Sequence, residues 1–510
     1  MSTFHGLEMA KQALYAQQAA LYTTGHNIAN ANTKGYSRQR VNFATTTPYP
    51  SGSRNRPQIP GQIGTGVQVG SIQRIRDEFL DYQFRTESSR HGYWQTTASA
   101  LSRLEELLNE PSENGLSQTL DEFWQSLQDL ATNPENSGAR SVVVNRALAV
   151  TETFNYLSET LESIRGDLQN QIKVTVSDVN SLLTQINEIN KQIQAVEPHG
   201  YLPNDLYDDR DRLIDELSEI VSIKVHHIES SDSAVEHAEG IVRIELVDAQ
   251  GLSLDQPPVF LLYGQPGHHD DAVNELTVNY ENGAVTSVQI EGYSEFGDLD
   301  ILQSIGSLKG LIEAFGYVED NTVKGEYPEM IQSLDRMASE LARAFNHIHR
   351  LGFDLNGNPG GTFFVDDANG EDSITAGNIT ISSVIYTNPS LIAASSEGLP
   401  GEGENALALA DMFTDPTLVD LDEGSVRSFY ESLIGGLGVR AKEANRMTAN
   451  TEILRSQVEE QKMSVSAVSL DEEMTNMIQF QHAYNAAARS MTAIDELLDR
   501  IINGMGLVGR

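Results

Sequence analysis

The sequence predicts a multidomain α+β chain: N- and C-terminal helices forming a coiled-coil or helical-bundle core domain, with β-rich outer domains inserted between them. Three observations carry that class. At 510 residues the chain exceeds one ordinary hydrophobic core, so roughly two to four domains are expected. Apolar or aromatic residues recur every seventh position at both ends, at Leu7, Leu14, Leu21 and Ile28 and again at Leu470, Met477, Tyr484, Met491, Leu498 and Met505. Between the ends, helical periodicities alternate with strand-like runs bounded by Gly, Asn and Pro.

Taken in chain order, the N-terminal stripe continues through Ala10, Ala13, Gln17 and Ala20, one face of a helix of about six turns. Gly25 and the Asn-rich run after it lower helix propensity, and Gly35-Tyr36 reads as the helix end. Residues 41–80, rich in Pro and Gly, read as extended connections. Helical patterns follow at 94–109, 116–131 and 137–150. From Leu157 to Val196 the apolar residues step by threes and fours with one stutter, a rod of about 60 Å. Residues 204–220 form an amphipathic helix with Leu206, Leu213, Ile214 and Leu217 inside. Several of its acids stand three or four positions from Arg210 or Arg212, which predicts a salt-bridged outer face.

Residues 222–297 alternate as strands do, and Asn282-Gly283 marks a hairpin turn. A helix is expected over 328–350, then short strand-like runs, GTFFV and NITISSVIY, within 353–395. In the last segment Met474, Gln481, Ala488 and Ile502 fill the alternate positions of the heptads, with Asp495 the one charged break, as in a coiled-coil seam. The chain thus divides into terminal coiled-coil assembly helices (1–40 and 470–510) and a mainly helical core domain (41–221, 298–350 and 400–469). The remainder is a β-rich inserted domain (222–297) and a β-rich inserted segment (353–399) that can share the same outer domain.

Composition narrows the function. No stretch approaches the roughly 18 consecutive apolar residues of a membrane helix, and MSTFHGLEMAKQAL has no apolar signal core, so neither membrane insertion nor a Sec-type signal is expected. The absence of Cys excludes disulfides, thiolate zinc sites and Cys nucleophiles, and is compatible with a bacterial protein exported unfolded. Net charge is −39, unevenly spread: residues 1–104 carry eleven Lys/Arg against five Asp/Glu, residues 440–510 eight against ten, and the middle fifteen against fifty-eight. So acidic a middle belongs in water and argues against nucleic acid as a partner, while the weakly charged ends can pack against other protein.

Candidate chemistry is thin. His226-His227, His268-His269-Asp270-Asp271 and His347-Ile348-His349 lack metal-ligand spacing. Asp354-Leu-Asn356-Gly-Asn358-Pro359 begins like a calcium loop but has Pro at the sixth position and Val365 at the twelfth, so it reads as a polar turn. G-x-S-x-G, P-loop and dinucleotide fingerprints are absent, and the glycines of 434–438 carry little meaning. No catalytic, cofactor or metal residues are expected. The terminal stripes can close an intrachain helical hairpin, and they can also pair with neighbouring subunits.

Leu7-x6-Leu14-x-Ala-Gln-Gln, followed by Thr24-Gly-His-Asn-Ile-Ala-Asn-Ala-Asn-Thr-Lys-Gly-Tyr-Ser-Arg-Gln39, resembles the signature of bacterial flagellar axial proteins. Gly25-His26 and Ser37-Arg38-Gln39 are similar to the hook-associated protein 1 family, the first hook–filament junction proteins. Asn204 to Leu217 resembles that family's central motif. Ser466-x3-Leu-Asp-Glu-Glu-Met474 with Phe480-Gln-x-Ala-Tyr-x-Ala-x-Ala488 resembles its C-terminal helix. The resemblance implies a non-enzymatic subunit, exported through the flagellar type III apparatus to an extracellular ring that joins hook to filament. Its terminal helices would line the export channel. Implied partners are hook protein, the next hook-associated junction protein, copies of the chain itself, and a cytoplasmic export chaperone at the C-terminal region. The assembly residues expected on this basis are the heptad positions Leu7, Leu14, Leu21 and Ile28, and the motif residues Asn27, Asn30, Asn32, Gly35 and Tyr36. At the other end they are Leu470, Met474, Met477, Tyr484, Ala488, Met491, Leu498 and Ile502. The terminal segments, roughly 1–40 and 470–510, are expected to order on assembly. The rival readings are a hook or distal-rod protein and, more distantly, a surface hydrolase.

Overall fold

Helices frame the structure. In chain order the elements are α1 (His5–Ala29), the strands β1 (Gln39–Thr45) and β2 (Val67–Arg74), α2 (Glu78–Leu108), α3 (Leu116–Thr132), α4 (Ser137–Val196) and α5 (Asn204–Ile220). There follow β3 (Ile223–Ile228), β4 (Ile241–Leu246), β5 (Phe260–Leu262), β6 (Leu276–Glu281) and β7 (Ala284–Ile290), then α6 (Ser307–Phe315), β8 (Tyr317–Glu319), β9 (Thr322–Lys324) and α7 (Glu326–Leu351). The chain continues with β10 (Phe364–Val365), β11 (Thr380–Ile381), α8 (Ser383–Thr387), α9 (Glu404–Asp411), α10 (Val426–Ser466) and α11 (Leu470–Gly504). This computed structural model describes residues 4–50, 52, 54, 60–108, 115–267, 272–281, 283–293, 303–368, 370–371, 373–417, 419–421 and 424–504. The α+β class is as the sequence reads it.

Two compact units share these elements. A terminal unit takes Met1–Ser88, Val179–Glu275 and Ile453–Arg510, and a middle unit takes Ser89–Asp178 and Leu276–Glu452, the boundaries falling inside α2, α4 and α10 and between β5 and β6. The strands of 222–297 are therefore divided: β3-β4-β5 form an antiparallel sheet in the terminal unit, and β6-β7-β8-β9 a sheet in the middle unit with one parallel pair, β7 and β8. Alternation reveals a strand but not which sheet receives it. At the β6–β7 turn Gly283 has φ +76°, as the hairpin signal requires, while its neighbour Asn282 lies outside the described residues.

Several boundaries depart from the sequence reading for local reasons. The patterns at 137–150 and 157–196 are one 60-residue helix, α4, because no proline interrupts it and Phe154, fully buried, continues the apolar stripe. α2 begins 16 residues before the expected 94: its early inward face carries Asp81 and Arg85, so apolar periodicity is silent there. α1 ends at Ala29, short of Gly35, because Asn30, Thr33 and Tyr36 make successive turns (Asn30 N–H to His26 O 3.0 Å, Thr33 N–H to Asn30 O 2.9 Å). Within residues 41–80, expected as extended connections, 41–45 and 67–74 belong to the ladder β1–β2, which runs from Gln39↔Arg74 to Thr45↔Val67. The run NITISSVIY is strand only at Thr380–Ile381, then turns helical in α8, where Tyr386 N–H reaches Ser382 O at 2.9 Å.

The middle unit has an aromatic core: Phe123, Phe345, Phe363, Phe364 and Phe413 pack with centroids 4.7 to 6.4 Å apart. His349 stacks on Phe345, its Nδ1 2.7 Å from Gly361 O and its Nε2 accepting from Ala393 N–H at 2.9 Å. Those two bonds fix a neutral tautomer, and burial pulls its pKa down to about 4. Below the ordinary histidine pKa the unfolded chain takes up this proton and the folded unit does not. The middle unit is therefore expected to lose about 3 kcal/mol from this group as pH falls from about 6.5 to 4. Both tryptophans, Trp94 and Trp124, lie in this unit, so their fluorescence in urea titrations reads it. In His349→Gln the slope in that window should flatten; an unchanged slope would refute the assignment.

Candidate functional site

Three stretches far apart in sequence meet within the terminal unit. Asn27, near the end of α1 and buried, accepts from Tyr36 OH at 2.8 Å and from Gln39 N–H at 3.0 Å, while its amide donates to Gln39 O at 2.8 Å. One side chain thus folds the chain after α1 back toward β1. Gly35, at φ +84°, supplies a left-handed residue in that reversal, beside the Arg212 side chain. Tyr36 stays a donor: burial, and then the charges of Asp205, Asp208 and Glu473, push its pKa up. Asn30 bonds back to His26 O at 3.1 Å, and Asn32 is exposed.

The residues that follow fasten this turn to α5 and α11. Ser37 N–H donates to Asp208 at 3.0 Å, Gln39 Nε2 to Asp205 at 3.0 Å, and Asn204 Nδ2 to Ile72 O at 3.0 Å. Arg38 N–H donates to Ser466 O at 2.8 Å, and its guanidinium reaches Glu473 at 2.7 Å and Glu472 at 2.6 Å. The N-terminal motif, the central acidic motif and the start of the C-terminal helix form one polar junction. A cleft of about 450 Å³ opens beside it, lined in part by Asn32, Lys34, Tyr36, Phe84, Glu219 and Met463.

Under the junction lies a buried ion cluster. Arg74 of β2 pairs with Asp208 (2.7 Å), Asp211 (2.8 Å) and Glu239 (2.5 Å). Arg76 pairs with Asp81 (2.6 Å) and Asp211 (3.1 Å), and Arg85 of α2 with Asp215 (2.8 Å) and Asp211 (3.3 Å). Lys462 of α10 bridges Asp215 (2.7 Å) and Asp81 (3.0 Å), and Arg210 bonds Gly240 O (2.6 Å) and Glu239 (3.2 Å). Burial alone would lower the pKa of Arg74 and raise that of Asp211. Instead the surrounding carboxylates raise Arg74, and Arg76, Arg74, Arg85 and Arg210 hold Asp211 well below the carboxylate range. Asp208 is raised, burial outweighing its bonds to Arg74 and Ser37. The salt-bridged outer face expected of α5 is corrected accordingly. Only Arg212, to Glu216 at 3.0 Å and Asp209 at 4.0 Å, pairs along the helix surface, while Asp208, Asp211 and Asp215 turn inward to Arg74, Arg76 and Arg85. The sequence signal was available: the N-terminal segment is basic in an acidic chain.

From this junction α1 and α11 run side by side, close enough that a Cβ on Gly6 would lie 3.1 Å from Ile494. Phe43 of β1 meets Phe480 edge-on at 6.1 Å. Ala10, Ala16 and Ala20 are buried, and Leu7, Leu14, Leu21 and Ile28 are half-buried. On α11, Leu498 is buried, Met477, Ala488 and Met491 are half-buried, and Leu470, Met474, Tyr484 and Ile502 are exposed. Intrachain pairing therefore uses part of each stripe. It leaves Met9, Tyr15 and Tyr22 of α1 and Leu470, Met474 and Ile478 of α11 exposed. Met505 lies outside the described residues.

The other candidates resolve as structural groups. His226 bonds Glu245 at 2.6 Å and His227 faces Glu239 O at 3.2 Å. Asp354 Oδ1 caps its own turn by accepting from Asn356 and Asn358 N–H, both at 2.8 Å. His268-His269-Asp270-Asp271 lie outside the described residues. Among the described residues no cluster of His, Cys, Asp or Glu could hold a metal ion, and no helix is long and apolar enough to cross a membrane.

Comparison with known proteins places this architecture. Residues 101–364 match the family model of the flagellar hook-associated protein FlgK helical domain. Residues 7–36 match that of the flagella basal body rod protein, and 459–504 that of the flagellar basal body rod FlgEFG protein C-terminal region. Flagellar hook-associated protein 1 of Bacillus subtilis (strain 168) is 48% identical over 520 aligned residues spanning 100% of both chains. That of Escherichia coli (strain K12) is 25% identical over 578, covering 97% of this chain and 98% of its own. The solved flagellar hook junction protein FlgK from Burkholderia pseudomallei shares the fold, with TM-score 0.57 over 76% of this chain and 100% of that one at 14% identity. A hook-associated helical domain flanked by rod-type ends, with a relative nearly half identical over its full length, means that the chain belongs to the flagellar hook-associated protein 1 family.

Proposed function

We propose that the protein is a structural subunit of the bacterial flagellum that joins the hook to the filament. The observation that carries this reading is the exposure of large apolar side chains on the paired helices α1 and α11, at the ends that match rod proteins. Two paired helices that leave Met9, Tyr15, Tyr22, Leu470, Met474 and Ile478 to solvent bury them when further helices pack alongside. Neighbouring copies, hook protein below and the next hook-associated protein above supply those helices, and the set closes a tube around the export channel. Among the expected assembly residues, Leu470, Met474, Tyr484 and Ile502 make contacts directly, while Asn27, Gly35 and Tyr36 act by fixing the turn that carries α1. The chain reaches this place outside the cell through the type III apparatus without a cleaved Sec signal, its C-terminal region escorted by a cytoplasmic chaperone that covers the exposed apolar side chains there. The reading involves no catalytic step. A hook or distal-rod role is disfavoured by the hook-associated helical domain over 101–364. Electron microscopy of a deletion strain provides the test: hooks without filaments, with filament protein lost to the medium, are expected, and filaments of normal length on such cells would dismiss the proposal.

A further inference from the structure

α10 ends at Ser466 and α11 begins at Leu470, and at the break between them Arg38 touches both sides. Its backbone N–H takes the carbonyl of Ser466, the last residue of α10. Its guanidinium takes Glu472 and Glu473, acids of the first turn of α11, and Glu473 is buried. Arg38 is itself held by the body of the terminal unit: its carbonyl accepts from Ile75 N–H at 2.8 Å, and its neighbour Ser37 is bonded to Asp208. Ala467 N–H still bonds Met463 O at 2.8 Å and Ser469 O already accepts from Glu473 N–H at 2.9 Å, so the break is a short hinge centred on Val468. Beyond that break the pair also meets the body along the β1–β2 ladder, where α1 packs on both strands, with Met9 and Gln12 beside Gly66, and where Phe43 meets Phe480.

We propose that Arg38 is a positioning residue, a clamp that sets the direction in which the paired helices α1 and α11 leave the body of their unit. The two connections of the pair, the turn after α1 and the break before α11, converge on this one side chain. A charge-assisted contact to two carboxylates resists rotation about the break in a way one neutral bond does not. The acids also suit the positive end of α11, so the clamp and the helix terminus reinforce each other. Motion of the terminal segments then begins past the first turns of α11, not at the break. The consequence for assembly rests on the proposed junction role: a subunit that presents its terminal pair at one angle can register with its neighbours around a ring.

The chain has no cysteine, so spin labels at Gln479→Cys and Glu219→Cys, both exposed, attach without background. Double electron–electron resonance on the full chain should give one narrow distance distribution. Arg38→Gln should broaden it and remove the single maximum, and Arg38→Lys, which keeps the charge, should restore much of the narrowness. Hydrogen exchange in α5 reports whether the unit remains folded and should not change. A distribution in Arg38→Gln as narrow as the native one, or a native one already broad, overturns the clamp. Because this measurement involves no flagella, it fails independently of the deletion strain that tests the junction role.

Discussion

Replacing Asp211 by Asn is expected to destabilise the terminal unit by about 3–5 kcal/mol, the range for removing one partner from a buried ion pair. The substitution conserves shape, so no cavity is made and the effect reports charge. Asp211 is the carboxylate shared by Arg74 at 2.8 Å, Arg76 at 3.1 Å and Arg85 at 3.3 Å. With Asn there, one oxygen remains to accept and an NH2 group faces guanidinium, leaving buried positive charge without compensation. Hydrogen exchange of α5 and β2 amides in increasing urea measures the loss. The tryptophans, both in the middle unit, provide an internal control whose unfolding midpoint should stay put. A loss under about 1 kcal/mol would mean that the cluster is solvated like a surface pair. The acid response of this unit has the same origin. The pKa values of Asp81 and Asp211 are held down, so their contribution is present above the ordinary aspartate pKa and disappears as pH falls through their lower folded values. Asp208, raised, works in the opposite sense over a higher window. The histidine-dependent loss in the middle unit occurs at milder acidity than the loss from Asp81 and Asp211.

Placing an aspartate at Met474 is expected to abolish filament attachment while leaving export and folding intact. Met474 is 57% exposed on α11, so the free chain gains a surface charge at a cost within about 0.5 kcal/mol. In an assembled ring the same charge would be buried against apolar neighbours without a partner, which costs several kcal/mol at every subunit. Leu14→Asp and Met477→Asp are expected to block attachment too, but both positions are half-buried in the α1–α11 region, so they also disturb the free chain. Comparing Met474→Asp with Met477→Asp by circular dichroism and by counting filaments separates the two effects. Motile cells with normal filaments carrying Met474→Asp would contradict the docking role of these exposed side chains.

What could be read from the sequence was whatever a single helix or strand announces about itself. The central acidic helix is Asn204–Ile220 in both the reading and the structure, because its apolar residues keep a period and its acids do not interrupt it. Its charged face was misjudged because Arg212 offers a partner four residues from Glu216, whereas the partners that bury Asp211 lie 126 and 137 residues away in sequence. Charge pairing across such distances leaves no periodic trace. The same holds for β1 and β2, whose ladder joins residues separated by a Pro- and Gly-rich stretch, and for the early turns of α2, whose inward residues are Asp81 and Arg85. At the candidate site the motif residues were legible as a set. That Ser37, Arg38 and Gln39 would spend their bonds on α5 and on the α10–α11 break, within the same chain, was not.

The ion cluster also imposes an order in time. Its members come from the first 88 residues, from the stretch after Val179 and, through Lys462, from the last segment of the chain. Long loops must close before the pairs that join these segments form, which makes their formation slow and late. On a ribosome, Asp81 and Asp215 wait for an ammonium group that is translated nearly last. Until Lys462 has emerged the terminal unit cannot complete this cluster, whereas every residue of the middle unit precedes Lys462 in synthesis.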